Sequence, residues 1–165
     1  MKTDSSNIKH VYFKCYQNLS QVKKAVQSIN KKNHNLSVQL SILGKISENY
    51  SNDEKELTAT INGTKLECEK ILGNATEFGG FYNTTIGVVF IAGALTPMFL
   101  HKIDGKILGE MSTGLYGILR GLGAYQFQAE TYLEALKTGT YLLIVRGFDN
   151  DLDLVDAALN KDNTL

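Results

Sequence analysis

The chain has 165 residues, of which 43% are hydrophobic and 21% charged, with a single proline; this suits one globular domain burying roughly 70% of its unfolded surface and excludes the disordered and collagen-like classes. Seventeen Lys and Arg balance seventeen Asp and Glu, so no net field recruits an anionic surface and nucleic acid is not expected as a partner. Two cysteines, Cys15 and Cys68, are too few for a disulfide scaffold and suit a reducing cytoplasm, and the opening MKTDSSNIKH lacks the apolar run of a signal peptide.

Residues 1 to 10 are polar and without period, and are expected as a flexible tail before a single domain over 11 to 161. Val11 to Tyr16 is aromatic and β-branched and reads as a strand. Asn18 followed by Gln21 has capping-box spacing, and Val22, Ala25, Val26 and Ile29 fall at i, i+3, i+4 and i+7, which predicts an amphipathic helix. Leu36, Val38, Leu40 and Ile42 alternate with Ser37, Gln39 and Ser41, a second strand with one core face and one wet face. Residues 47 to 56 read as a polar loop. Leu57, Ala59 and Ile61 alternate up to Asn62-Gly63, with Leu66 and Cys68 beyond, which favours a hairpin through an Asn-Gly turn over a helix through 64 to 72.

Eleven of the fifteen glycines lie between Gly73 and Gly123, and Phe78 to Leu100 are 23 residues without a charge. Gly80, Gly87 and Ala94 recur at seven, and Pro97 ends the stretch. After HKIDGK, Leu108, Met111, Leu115, Ile118 and Leu122 recur at 3, 4, 3 and 4, with Gly114, Gly117 and Gly121 on a neighbouring face. The pattern predicts a glycine-rich helical hairpin, 80 to 96 against 107 to 126, inserted at about 78 to 128. Residues 78 to 100 are long enough to span a bilayer, but Glu110 and Arg120 would each cost about 2.5 to 3.5 kcal/mol at mid-membrane, so a soluble hairpin is favoured over insertion.

Near the far end, Tyr141 to Arg146 is the most apolar strand, and Leu152, Val155, Ala158 and Leu159 mark a closing helix. Two strand-then-helix units with strands between them predict an α+β fold of the ferredoxin-like kind, with helices on one face and the strands 11 to 16, 36 to 42 and 141 to 146 in one sheet.

The glycine-rich segment followed by EALKTGTYLLIVRG at 134 to 147 resembles the bacterial glycine-zipper stress proteins of unknown function related to general stress protein 17M and to the DUF1269 membrane proteins. The resemblance spans about residues 73 to 160 and implies a stress-related role, split α+β halves and membrane association. It implies no catalytic residues. Glu110 and Arg120 depart from the pattern and weigh against the membrane.

No catalytic constellation emerges, and no cofactor or metal is expected. His10, His34 and His101 are far apart with no ligand at i+3 or i+4. Cys15 and Cys68 read as small buried hydrophobes. Glu130 and Glu134, at i and i+4, read as a solvent face, and Gly44, Gly73-Asn74 and Gly79-Gly80 form no phosphate loop. Sequons at Asn18, Asn35, Asn49, Asn62, Asn74 and Asn83 reflect an Asn-rich composition. The expected function is non-enzymatic scaffolding by a homo-oligomer, with peripheral membrane contact as an option. Its expected interface is Gly87, Leu108, Met111, Gly114, Leu115, Gly117, Ile118, Gly121 and Leu122. A small-molecule regulatory module with an apolar pocket between sheet and hairpin is the alternative.

Overall fold

The computed structural model describes residues 8–32, 36–47, 54–74, 76–111 and 113–160. Its elements run β1 (His10–Tyr16), α1 (Leu19–Lys32), β2 (Gln39–Ser47), α2 (Glu54–Leu72), β3 (Phe78–Asn83), β4 (Gly87–Gly93), α3 (Thr96–Leu100), β5 (Lys102–Ile103), β6 (Lys106–Ile107), a 3-10 turn (Leu108–Glu110), α4 (Gly114–Gly121), α5 (Gln126–Lys137), β7 (Tyr141–Gly147) and α6 (Asp149–Asn160). Five strands form one antiparallel sheet in the order β1-β7-β2-β4-β3, and β5-β6 is a separate ribbon. The three strands expected to share a sheet do so. His10 to Tyr16 pair with Gly147 to Tyr141, and Gln39 to Leu43 pair with Arg146 to Leu142. The N-terminal tail therefore ends sooner than expected, since His10 is already paired with Gly147; residues 1–7 lie outside the described residues.

Both faces of this sheet are covered. Ile42, Phe90, Ala92, Leu143 and Val145 pack with Val22, Val26 and Ile29 of α1, Cys68 of α2, and Leu152 and Val155 of α6. The alternate residues Leu43, Val89, Ile91, Leu142 and Ile144 pack with Phe99 of α3, Leu115 and Leu119 of α4, and Ala129 and Leu136 of α5. This corrects the one-faced ferredoxin-like arrangement expected from sequence. Ser41, read as facing water, is fully buried, and its Oγ accepts the Leu95 N–H at 2.9 Å. The strands β4 and β7 carry apolar residues at consecutive positions because each position meets a helix layer.

The first and last helices form as their patterns require. Asn18 Oδ1 accepts the Gln21 N–H, Gln21 Oε1 accepts the Gln17 N–H, both at 2.9 Å, and Val22, Ala25, Val26 and Ile29 are buried. In α6, Leu152, Val155, Ala158 and Leu159 are buried.

Two expected elements are replaced. Residues 57 to 68 are not a hairpin through Asn62-Gly63 but the middle of α2. Leu57, Ile61, Thr64, Cys68 and Ile71 turn inward at 4, 3, 4 and 3, Glu54 and Glu56 sit in the first turn, and Lys70 sits in the last, so the helix period and the end charges outweigh the roughly 1 kcal/mol cost of Gly63.

The helical hairpin at 78 to 128 is likewise absent. Residues 78–93 form the β3-β4 hairpin instead, with Phe78 to Asn83 paired to Ala92 to Gly87. Val88, Val89 and Ile91 favour extended backbone, and their two-sided burial removes the alternation that would have announced a strand. Gly93 is obligatory, because at φ +106° a Cβ would collide with Leu40 O. The second expected helix, 107 to 126, shrinks to Gly114–Gly121. Among the described residues no helix is long and apolar enough to cross a membrane.

Candidate functional site

The segment between β4 and β7 builds an apolar groove on the outside of the α3–α5 layer. Its first wall is α3, held against the sheet by the Ser41 bond to Leu95 N–H, by Thr96 Oγ1 donating to Glu77 O at 3.4 Å, and by the fully buried Phe99 ring. Burying Phe99 turns Met98, one position earlier, outward, where it is 40% exposed. The β5-β6 ribbon follows through a tight turn in which Asp104 and Gly105 both have positive φ, 51° and 79°. The Leu108 N–H then donates to His101 O at 2.8 Å and closes the ribbon.

The floor is the 3-10 turn, positioned by one buried side chain at the end of β3. Asn83, 1% exposed, donates through Nδ2 to Gly109 O at 3.0 Å and Met111 O at 3.4 Å. Its Oδ1 accepts the N–H groups of Thr85 at 3.0 Å and Ile86 at 3.1 Å. All the bonding capacity of the amide is used, so the β3-β4 turn and the 3-10 turn move as one unit.

The second wall is α4. Leu115, Ile118 and Leu119 bury one side of it in the core, while Gly117 and Gly121 lie on the exposed side. A Cβ built on Gly117 or Gly121 meets nothing within 4 Å, whereas one on Gly114 would collide with Leu108 O. Gly114 is therefore needed for the turn into the helix, and the other two leave a smooth strip of backbone. Arg120 Nη1 donates to Ala124 O at 3.3 Å and caps the C-terminal end. Met111 completes the rim, 38% exposed.

The result is an open groove of about 330 Å³. Six of the nine residues expected at an interface line it, namely Leu108, Met111, Gly114, Gly117, Ile118 and Gly121. The other three do not. Gly87 is buried at the start of β4, Leu115 is 1% exposed in the core, and Leu122 packs half-buried against the same core. A lysine at Leu115 would thus unfold the domain instead of dissociating copies of it. Met98 and Thr113 also line the groove and carried no signal in the spacing of the sequence. Among the described residues no charged side chain lines it; Lys102, Lys106, Glu110 and Arg120 lie exposed on the elements around it. Among the described residues its lining carries a single hydroxyl, that of Thr113, and the groove offers contact to apolar groups.

The remaining chemistry-bearing residues are scattered. His10 Nδ1 lies 2.7 Å from Asp149 Oδ1, both side chains about half exposed, and pins β1 to the start of α6. His101 is exposed beside the ribbon, and His34 lies outside the described residues, as do Asn35 and Asn49. Cys15 and Cys68 are free thiols. Burial raises the Cys15 pKa and pushes that of Cys68 up to about 12, with Glu67 and Glu69 adding to the effect at Cys68. Thiols held neutral in this way are poor nucleophiles. Burial also raises the Tyr12 hydroxyl to about 12, reinforced by its hydrogen bond to Asp156. Glu130 and Glu134 are exposed on α5, and Glu130 Oε1 accepts from Gln126 Nε2 at 3.4 Å. Among the described residues no group of three His, Cys, Asp or Glu is placed to hold a metal. Comparison with protein-family models, with curated proteins and with solved structures finds no match to this chain.

Proposed function

We propose that this chain is a non-enzymatic scaffolding protein, in the stress-related class that its sequence resembles, which self-associates through the groove on α4. The observation that carries the reading is an apolar groove in which exposed methionines stand beside an open glycine strip. Met98 and Met111 stand out of its rim, and the Gly117–Gly121 strip beside them is an empty depression. Two copies related by a two-fold axis place the methionines of each against the glycine strip of the other, as an isologous contact requires. Glycines at i and i+4 let two helix backbones approach closely, and the flexible thioether of methionine fills what irregular space remains.

Fully burying a methionine is worth about 1.5 to 3 kcal/mol, so covering the exposed part of two per copy supplies on the order of 1 kcal/mol each. A helix of eight residues is about 12 Å long, which makes a small contact and a reversible, concentration-dependent dimer. The alternative of an apolar ligand between sheet and helices is disfavoured because Phe99, Leu115, Leu119 and Leu136 fill that layer.

Sedimentation velocity over a concentration series, beside flotation with anionic liposomes, tests the proposal. The expected result is a monomer–dimer equilibrium that stays with the soluble fraction, and a Met111→Lys variant that is folded and monomeric. A monomer at every concentration, a dimer that Met111→Lys leaves intact, or flotation that Met111→Lys abolishes would each overturn it.

A further inference from the structure

On the opposite side of the sheet from the groove, β1, the start of α1 and the end of α6 enclose a cleft of about 510 Å³. Its polar lining among the described residues comes from Lys14, Tyr16, Gln17, Gln21 and Lys24, with no carboxylate among them. Lys14 is held in place without being neutralised. Its ammonium donates to Leu159 O at 3.2 Å and Asn160 Oδ1 at 2.8 Å and lies 5.8 Å from the centre of the Tyr16 ring, partners with no formal charge, which leaves the positive charge available. Neither Lys14 nor Lys24 forms an ion pair among the described residues. Asp156, which accepts from Asn160 Nδ2, does not line the cleft.

Gln21 adds an oriented donor. Its Oε1 accepts the Gln17 N–H at 2.9 Å, so the carbonyl end of the amide is occupied and the Nε2 hydrogens remain for a ligand. The backbone N–H of Gln21 is already bonded to Asn18 Oδ1 at 2.9 Å, so the recognition rests on side chains and not on the open end of the helix. Two lysines and a glutamine lining one cleft, with no acid among its described lining residues, match a group that is all acceptor and carries more than one negative charge.

We propose that this cleft binds a phosphoryl group, as free phosphate or as the phosphate of a small ester. The volume exceeds what a bare anion fills, and the apolar Ala25 and Leu159 in the lining suit the organic part of an ester.

Isothermal titration of the full chain at low ionic strength, with inorganic phosphate in one arm and ribose 5-phosphate in the other, tests the assignment. Saturable binding is expected in at least one arm; tighter binding of ribose 5-phosphate marks the ester as the ligand, and equal binding marks the free anion. Hydrogen bonds to charged groups are worth enough that Lys24→Gln should weaken binding about tenfold or more. Lys14→Gln should do the same, but it also removes a contact to the end of α6, so the exposed Lys24 is the decisive variant. Lys31→Gln, on the same helix but outside the cleft, should leave the affinity unchanged. Absence of saturable binding in both arms, binding that Lys24→Gln leaves intact, or an equal loss with Lys31→Gln would overturn the proposal.

Discussion

Replacing Gly117 by alanine separates the packing of the single chain from the contact between chains, because the two respond in opposite directions. Gly117 lies inside α4 without positive φ, and a Cβ there meets no atom within 4 Å. The substitution therefore removes the backbone freedom of glycine from the unfolded state at no steric cost in the folded one, a gain of about 1 kcal/mol. In a domain of this size that raises the melting temperature by about 2 to 4 °C. Gly121 ends the helix, so its alanine variant should gain less. Gly114→Ala is the internal control. Its Cβ would collide with Leu108 O, so it should lower stability although it is also a glycine-to-alanine change in α4. If the Gly117–Gly121 strip receives the methionines of a second copy, Gly117→Ala should weaken the dimer while stabilising the monomer, and Gly117→Leu should abolish association. Thermal unfolding at a concentration where the monomer prevails, with sedimentation at a higher one, reads both effects. A lower melting temperature for Gly117→Ala would show that another element packs on this face. A higher one with unchanged association would show that the groove is not the contact.

Asn83→Ala should destabilise the fold by about 2 to 4 kcal/mol in urea unfolding, because it strands buried partners in two turns at once; a cost below about 1 kcal/mol would mean that the two turns are held independently. Stability should fall as the pH rises from about 9 toward 12. The folded state keeps Cys68 and Tyr12 neutral up to about 12, whereas the unfolded chain ionises them near their ordinary values of 9.0 and 10.0 and is favoured once it does. Cys68→Ala should flatten that loss, and an unchanged alkaline profile would refute the attribution. For the same reason Cys68 should react with a disulfide reagent only after unfolding; fast labelling of native protein at neutral pH would contradict its burial.

Local patterns determined α1, α6, β1 and β7, because each carries a signal that neighbours along the chain suffice to state. Asn18 and Gln21 mark a helix start, and Val22, Ala25, Val26 and Ile29 mark its buried stripe. The apolar runs of β1 and β7 had to share a sheet to bury themselves, and they pair along their full length. The stripe of Leu108, Met111, Leu115, Ile118 and Leu122 and the glycines at 114, 117 and 121 on a neighbouring face were legible in the spacing, and all of these but Leu115 and Leu122 line the groove.

Tertiary structure decided the rest. Residues 87–93 have no period because helices cover one face of the sheet and other helices cover the second, so a strand buried on both faces reads like a buried helix. Of the seven-residue recurrence of Gly80, Gly87 and Ala94, the two glycines belong to a β-hairpin and Ala94 lies just past its end, where the spacing has no helical meaning. Whether Gly117 met a partner or open space, whether Leu115 faced the core or the surface, and that Met98 would join the groove all depended on how α3 and α4 dock. That docking is set by contacts distant in sequence, such as Ser41 with Leu95 and Asn83 with Gly109, whose free energy appears only once the chain has closed on itself.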